Sequence, residues 1–127
     1  MLVFKNDMVA FEQQLKMLRH LMEYERIYRN PDLNLTLLGS RLRISERSTS
    51  KLIQRGFEKS YTTFVNDYRL EEVLYRLRNR QYITHTIIGL ALEAGFPSKS
   101  TFYRFFKERL EMSPSEFVKR QLENKTS

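Results

Sequence analysis

Lys99, Ser100, Tyr103, Arg104 and Lys107 recur at helical spacing on one side of the stretch IIGLALEAGFPSKSTFYRFFKERLEMSPSEF, Ile87 to Phe117. The other side carries Phe102, Phe105 and Phe106 at i, i+3 and i+4, the spacing that buries one face of a helix. The outward face is then left with donors and positive charge, and it holds no acid until Glu108. Such a face suits a polyanion, because ammonium and guanidinium groups neutralise phosphate while side-chain donors reach polar edges. The plainer alternative is a solvated basic surface.

A helix bearing that face needs a partner to hold it. Ile87, Leu90 and Ala91 line one side of a preceding helix, Gly95 breaks it, and Ser98 stands where the next helix needs a cap for its orphan amides. A small Ala91, three residues, then Gly95 is the spacing of a helix-turn-helix: the helices cross closely at the alanine, and glycine supplies the positive φ of the turn.

The 127 residues, 41% of them hydrophobic, can bury a core, and the expected fold class is all-α. No cysteine is present, and the two histidines, His20 and His85, lie far apart, so no metal site and no cofactor are expected. The sequence shows no Gly-rich phosphate loop and no paired catalytic acids, which argues against an enzyme. No apolar run could cross a bilayer and no leader pattern opens the chain, so a soluble, cytoplasmic protein without membrane insertion is expected. The net charge of +7 is unevenly placed. Met1 to Asp32 carries five basic and five acidic residues, so the whole surplus belongs to Leu33 to Ser127.

About seven helices are expected, in two helix-turn-helix subdomains of homeodomain-like character joined by a long linker helix. The segments are an N-terminal amphipathic helix over 1–30, a first helix-turn-helix over 31–60, a linker helix over 61–82, a second helix-turn-helix with the C-terminal helix over 83–123, and a tail over 124–127. Phe4 to Tyr28 reads as one helix without Gly or Pro, closed by Asn30-Pro31. Met8, Phe11, Leu15, Met17, Leu18, Leu21, Met22, Tyr24 and Tyr28 cover about half its cylinder. Two readings stay open: the face covers the core of the first half, or part of it meets a partner subunit or a domain beyond this chain. Asn34 to Arg43 forms the next helix with Leu35, Leu38 and Leu42 inward, and Ser45 caps a third to about Phe57, along which Arg47, Lys51, Arg55 and Lys59 form a basic ladder. Tyr61 to about Gln81 is the linker, with Phe64, Val65, Tyr68, Val73 or Leu74, and Leu77 as core candidates. Ser113-Pro114-Ser115-Glu116 is a capping box opening the last helix.

Displacing the chain by 53 lays Ser45 on Ser98, Ser48 on Thr101, Leu52 on Phe105, Glu58 on Glu111, Ser60 on Ser113, Phe64 on Phe117 and Val65 on Val118. Leu38 and Gly39 meet Leu90 and Ala91 when the displacement is 52. The chain thus holds two helix-turn-helix units. Arg47, Ser50 and Lys51 fall on Ser100, Tyr103 and Arg104. A linker of about 20 residues at about 1.5 Å each gives roughly 30 Å, near the ~34 Å between successive major-groove segments on one face of B-DNA.

These residues resemble the DNA-binding domain of the AraC/XylS family of transcriptional regulators over roughly Pro31 to Lys119. LALEAGFPSKSTFYRFFK followed by MSPSEF is similar to that family's run of Ile-Ala, Gly-Phe, Ser-x-x-Phe-x-Arg-x-Phe-Lys, Ser-Pro and an aromatic, and LTLLGSRLRIS with TFVNDYRLEEV is a weaker collinear match. The resemblance implies two recognition helices in adjacent major-groove segments of promoter DNA, activation of transcription, and contact with RNA polymerase. By the same resemblance Arg47, Ser50 and Lys51 in the first helix and Lys99, Ser100, Tyr103 and Arg104 in the second would reach base edges, Arg104 foremost, since a guanidinium can bond both acceptors of guanine. Ser45, Arg55, Lys59, Ser98, Lys107 and Ser113 would hold phosphates. A homodimer partner or a sensor domain would meet the N-terminal helix. The rival reading is a helical interaction or dimerisation module that does not bind DNA.

The chain departs from the family at Glu58 and Glu111, where glycine is usual after each recognition helix, at Gly39 in place of alanine, at Arg43 in place of the turn glycine, and at Thr49 in place of leucine. Glu58 and Glu111 must therefore sit in altered turns or in an unfavourable backbone conformation. The stretch from Val73 to Ile87 is longer than the common spacing and resembles a subgroup found as the output end of larger sensor proteins.

Overall fold

The computed structural model describes the backbone of residues 2–126 and the side chains of residues 7–124. Among these, seven α-helices occur and no strand: α1 (Leu2–Glu23), α2 (Leu35–Leu42), α3 (Glu46–Phe57), α4 (Tyr61–Arg78), α5 (Ile87–Glu93), α6 (Lys99–Leu110) and α7 (Pro114–Thr126). Short 3-10 turns follow α1 at Ile27–Arg29 and α4 at Gln81–Ile83. The fold is all-α, as expected. Two compact units divide it, Met1–Val65 and Asn66–Ser127, with the boundary inside α4.

In the first unit, α1 packs on α2 and α3 through Leu18, Leu21 and Met22, all buried. The expected helix to Tyr28 stops at Glu23, because Arg26 takes a left-handed conformation (φ 52°) and a 3-10 turn follows. The reversal sends Tyr28 into the core and leaves Tyr24 outside at 78% exposure. It also brings Glu25 onto Arg41 at 2.5 Å. Burial of an aromatic ring and that ion pair offset the left-handed cost of about 1–2 kcal/mol.

Asn34 caps α2 by accepting from the Leu37 amide at 2.8 Å, and Arg43 ends it at φ 60°. A Cβ at Gly39 would stand 2.8 Å from the Ile44 carbonyl oxygen and 2.9 Å from Thr49 Oγ1. Thr49 is fully buried, and its hydroxyl donates to the Ser45 carbonyl at 2.8 Å. The glycine and the short threonine are therefore matched, and both depart from the AraC/XylS pattern together. Along α3, Gly56 admits Leu15, whose Cδ2 would lie 2.4 Å from an added Cβ.

In the second unit, Leu70, Val73, Leu74 and Leu77 of α4 join Leu90, Ala91, Ala94, Phe96, Phe102 and Phe106 in one buried cluster. Val73 and Leu74 are both core, and Tyr68 is half-buried. The linker helix ends at Arg78 rather than near Gln81, since Arg80 turns left-handed (φ 60°). The freed Gln81 side chain accepts from Arg76 Nε at 2.7 Å, and Gln121 of α7 donates to the Leu77 and Arg78 carbonyls at the exposed end of α4. Arg109 of α6 forms a two-pronged bond to Asp67 of α4. That hydrogen bond raises the Arg109 pKa above its ordinary value, against an opposing effect of burial. At the last helix Ser113 accepts from the Glu116 amide at 3.1 Å, while the Glu116 carboxylate accepts from Arg120. The expected tail is shorter than 124–127, because α7 continues through Thr126.

The repeat extends further than the helix-turn-helix pairs. Leu18, Leu21 and Met22 correspond to Leu70, Val73 and Leu74, all buried. Arg26 and Arg80 are both left-handed, and each opens a 3-10 turn, one carrying Tyr28 and the other Tyr82. Arg43 answers Gly95, left-handed at φ 107°, and Glu58 and Glu111 are left-handed at 56° and 57°. The ion pair Glu25–Arg41 recurs as Arg76–Glu93 at 2.6 Å with its signs exchanged. Thus α1 is the first helix of its unit, as α4 is of the second. Its inner face covers the core, while Met8 and Met17 remain 64% and 47% exposed.

Replacing Glu111 by glycine removes a left-handed Cβ and is expected to raise the unfolding free energy by about 0.5–1 kcal/mol. Gly39→Ala should lower it by about 1–2 kcal/mol, because a backbone carbonyl must move to admit the methyl group. Denaturant unfolding of the two variants checks both signs.

Candidate nucleic-acid interface

Each helix-turn-helix pair holds its second helix by the inner face. On α3 the buried side chains are Thr49, Leu52 and Ile53; on α6 they are Phe102 and Phe106, with Phe105 half-buried beside them. Phe96 stacks edge-on to Phe102 with ring centres 5.1 Å apart, and Phe106 meets Phe102 and Phe117 in the same manner. These aromatics are core, as expected from their spacing.

What remains outward is polar. Arg47, Ser50 and Lys51 are exposed on α3, and Lys99, Ser100, Arg104 and Lys107 on α6. Tyr103 is half-buried, with its ring against Phe102 and the Lys99 ammonium 5.6 Å from its centre.

Ser45, Ser98 and Ser113 all cap, accepting from the amides of Ser48, Thr101 and Glu116. The hydroxyls of Ser45 and Ser98 are also engaged with the side chains of Ser48 and Thr101. Their first-turn amides, which point out of each helix start, are the groups left to meet an anion.

The basic ladder on α3 does not continue as one row. Arg55 lies over the Phe11 ring of α1 at 5.1 Å, and Lys59 lies beyond the helix end and is half-buried. Arg47 and Lys51 keep the outward row. Sequence reasoning passed over Gln54, which is exposed on the same stripe as Arg47 and Lys51. The signal was available, because displacement by 53 lays Gln54 on Lys107.

A family model described as a helix-turn-helix domain, of AraC type, matches residues 38–120. The chain belongs to the AraC-type helix-turn-helix family. It is accordingly a DNA-binding domain of transcription regulation. Curated relatives are HTH-type transcriptional regulators, themselves described as uncharacterized, from Staphylococcus aureus strains MSSA476, MRSA252 and N315. Each is 28% identical over 95 residues, which is 75% of this chain and 12% of the relative. The chain therefore spans about an eighth of the length of those proteins. No solved structure matches. Among the described residues, no helix is long and apolar enough to cross a membrane.

In this AraC-type domain the caps are structural before they are anything else. Ser98→Ala is expected to lower stability by about 1 kcal/mol, and Ser98→Asp to retain it, because a carboxylate also accepts the amide of the third helical residue. Thermal unfolding of both variants tests this.

Proposed function

We propose that this chain reads double-stranded promoter DNA by placing α3 and α6 in successive major-groove segments, and that it activates transcription in contact with RNA polymerase. The observation that carries the reading is the recurrence, on two equivalent helices, of an outward stripe of donors over a buried inner face. Arg47, Ser50 and Lys51 on α3 and Lys99, Ser100, Tyr103 and Arg104 on α6 are the base-reading groups. The phosphate contacts are Lys107 and the helix starts at Ser45, Ser98 and Ser113, whereas Arg55, drawn over Phe11, and the half-buried Lys59 stand back from the outward row. The work is binding, without catalysis, in the cytoplasm. A second copy or a sensor domain would meet Met8, Met17 and Tyr24, exposed on and just after α1.

Arg104→Ala is expected to cost about 1–3 kcal/mol on the cognate site and to relax the preference at one base pair. Lys107→Ala should weaken all sequences alike and reduce the salt slope by about 1. Titration of specific and random duplex over a range of salt distinguishes them. Equal losses on both duplexes for both variants would count against the assignment.

A further inference from the structure

Displacement by 53 pairs the first residue of α3 with the first residue of α6, and there the charge reverses: Glu46 answers Lys99. The neighbouring outward pairs, Arg47 with Ser100, Lys51 with Arg104 and Gln54 with Lys107, all pair a basic or neutral side chain with another. Glu46 is exposed, and its Oε1 accepts a hydrogen bond from the hydroxyl of Thr36 on α2. Oε2 is left to point elsewhere. The counterpart of Thr36 is Ile88, which has no hydroxyl, and Lys99 leans instead on the Tyr103 ring. Each opening side chain is thus oriented by a neighbour that its own unit supplies.

We propose that Glu46 determines specificity, its Oε2 accepting from the exocyclic amine of a cytosine where Lys99, in the other half-site, takes the O6 and N7 of a guanine. The two half-sites are then chemically opposite at that position, and the operator is not a plain direct repeat. The assignment rests on the groove reading proposed above. In the major groove cytosine presents the N4 donor with no acceptor of its own, adenine sets an N7 acceptor beside its N6 donor, and guanine and thymine present acceptors that a carboxylate repels. A carboxylate at a helix start facing phosphates also lowers affinity for every sequence, so it acts mainly by excluding the wrong base. A purely structural acid in a first turn would stabilise the helix and leave base preference untouched.

The test is selection from random duplexes, followed by titration of the selected and random pools, with the parent chain and Glu46→Ala, Glu46→Gln, Glu46→Lys and Arg104→Ala. Glu46→Gln keeps an acceptor for Thr36 and removes the charge, which guards against a folding artefact. The parent chain should enrich cytosine at one position of the first half-site by roughly five- to hundredfold. Glu46→Ala and Glu46→Gln should weaken that preference while binding random duplex more tightly, and Glu46→Lys should turn it toward guanine. Unchanged preference in the Glu46 variants, with a preference lost in Arg104→Ala, overturns the Glu46 assignment alone. Unchanged preference in all of them overturns the groove reading as well.

Discussion

The contact on which the molecule depends is the close crossing of the two helices in each helix-turn-helix pair. In the first unit it is tight enough that Gly39 cannot carry a methyl group without displacing the Ile44 carbonyl. In the second, Ala91 takes the equivalent place in a cluster with Phe96, Phe102 and Phe106. A crossing held this closely leaves the recognition helix no rotational freedom about its own axis, because any turn would withdraw Leu52 and Ile53, or Phe102 and Phe106, from the core. The outward stripe is fixed as a consequence of what lies behind it.

The two units reach the same arrangement with different chemistry. Where the long first helix meets the recognition helix, the first unit has Leu15 lying in the notch at Gly56, flanked by Arg19 over Phe57 and Arg55 over Phe11. The second unit uses the Arg109–Asp67 pair at corresponding positions. The reversed ion pairs Glu25–Arg41 and Arg76–Glu93 make the same point: complementarity at that junction is retained while the identity of each charge is not. Left-handed residues close the remaining turns, and four of the five that are not glycine stand in two equivalent pairs, Arg26 with Arg80 and Glu58 with Glu111. They carry a backbone cost that glycine would avoid, so the surrounding turn geometry is what holds them there.

Much of this was legible in the residues. The spacing of Phe102, Phe105 and Phe106, the caps at Ser45, Ser98 and Ser113, and the register of 53 are local signals, and they place the starts of the recognition helices to the residue. The departure at Glu58 and Glu111 left two outcomes, altered turns or a left-handed residue, and both positions take the second. The ends of α1 and α4 were misjudged for one shared reason. Arg26 and Arg80 have nothing in their type to suggest a left-handed turn; it is the burial of Tyr28 and the pairings of Glu25 and Arg76, formed with residues far along the chain, that favour it. The same distance hid the place of Arg55, whose spacing matches Arg47 and Lys51 but whose guanidinium is drawn over Phe11.

The central claim is that one chain engages two groove segments at once, and half-site spacing tests it most directly. Affinity is measured for a selected operator and for the same operator with half a helical turn, about 5 base pairs, inserted between its halves. The account predicts that the insertion lowers affinity to that of a single half-site, since it carries the second segment to the opposite face of the duplex. Affinity indifferent to the insertion would contradict it.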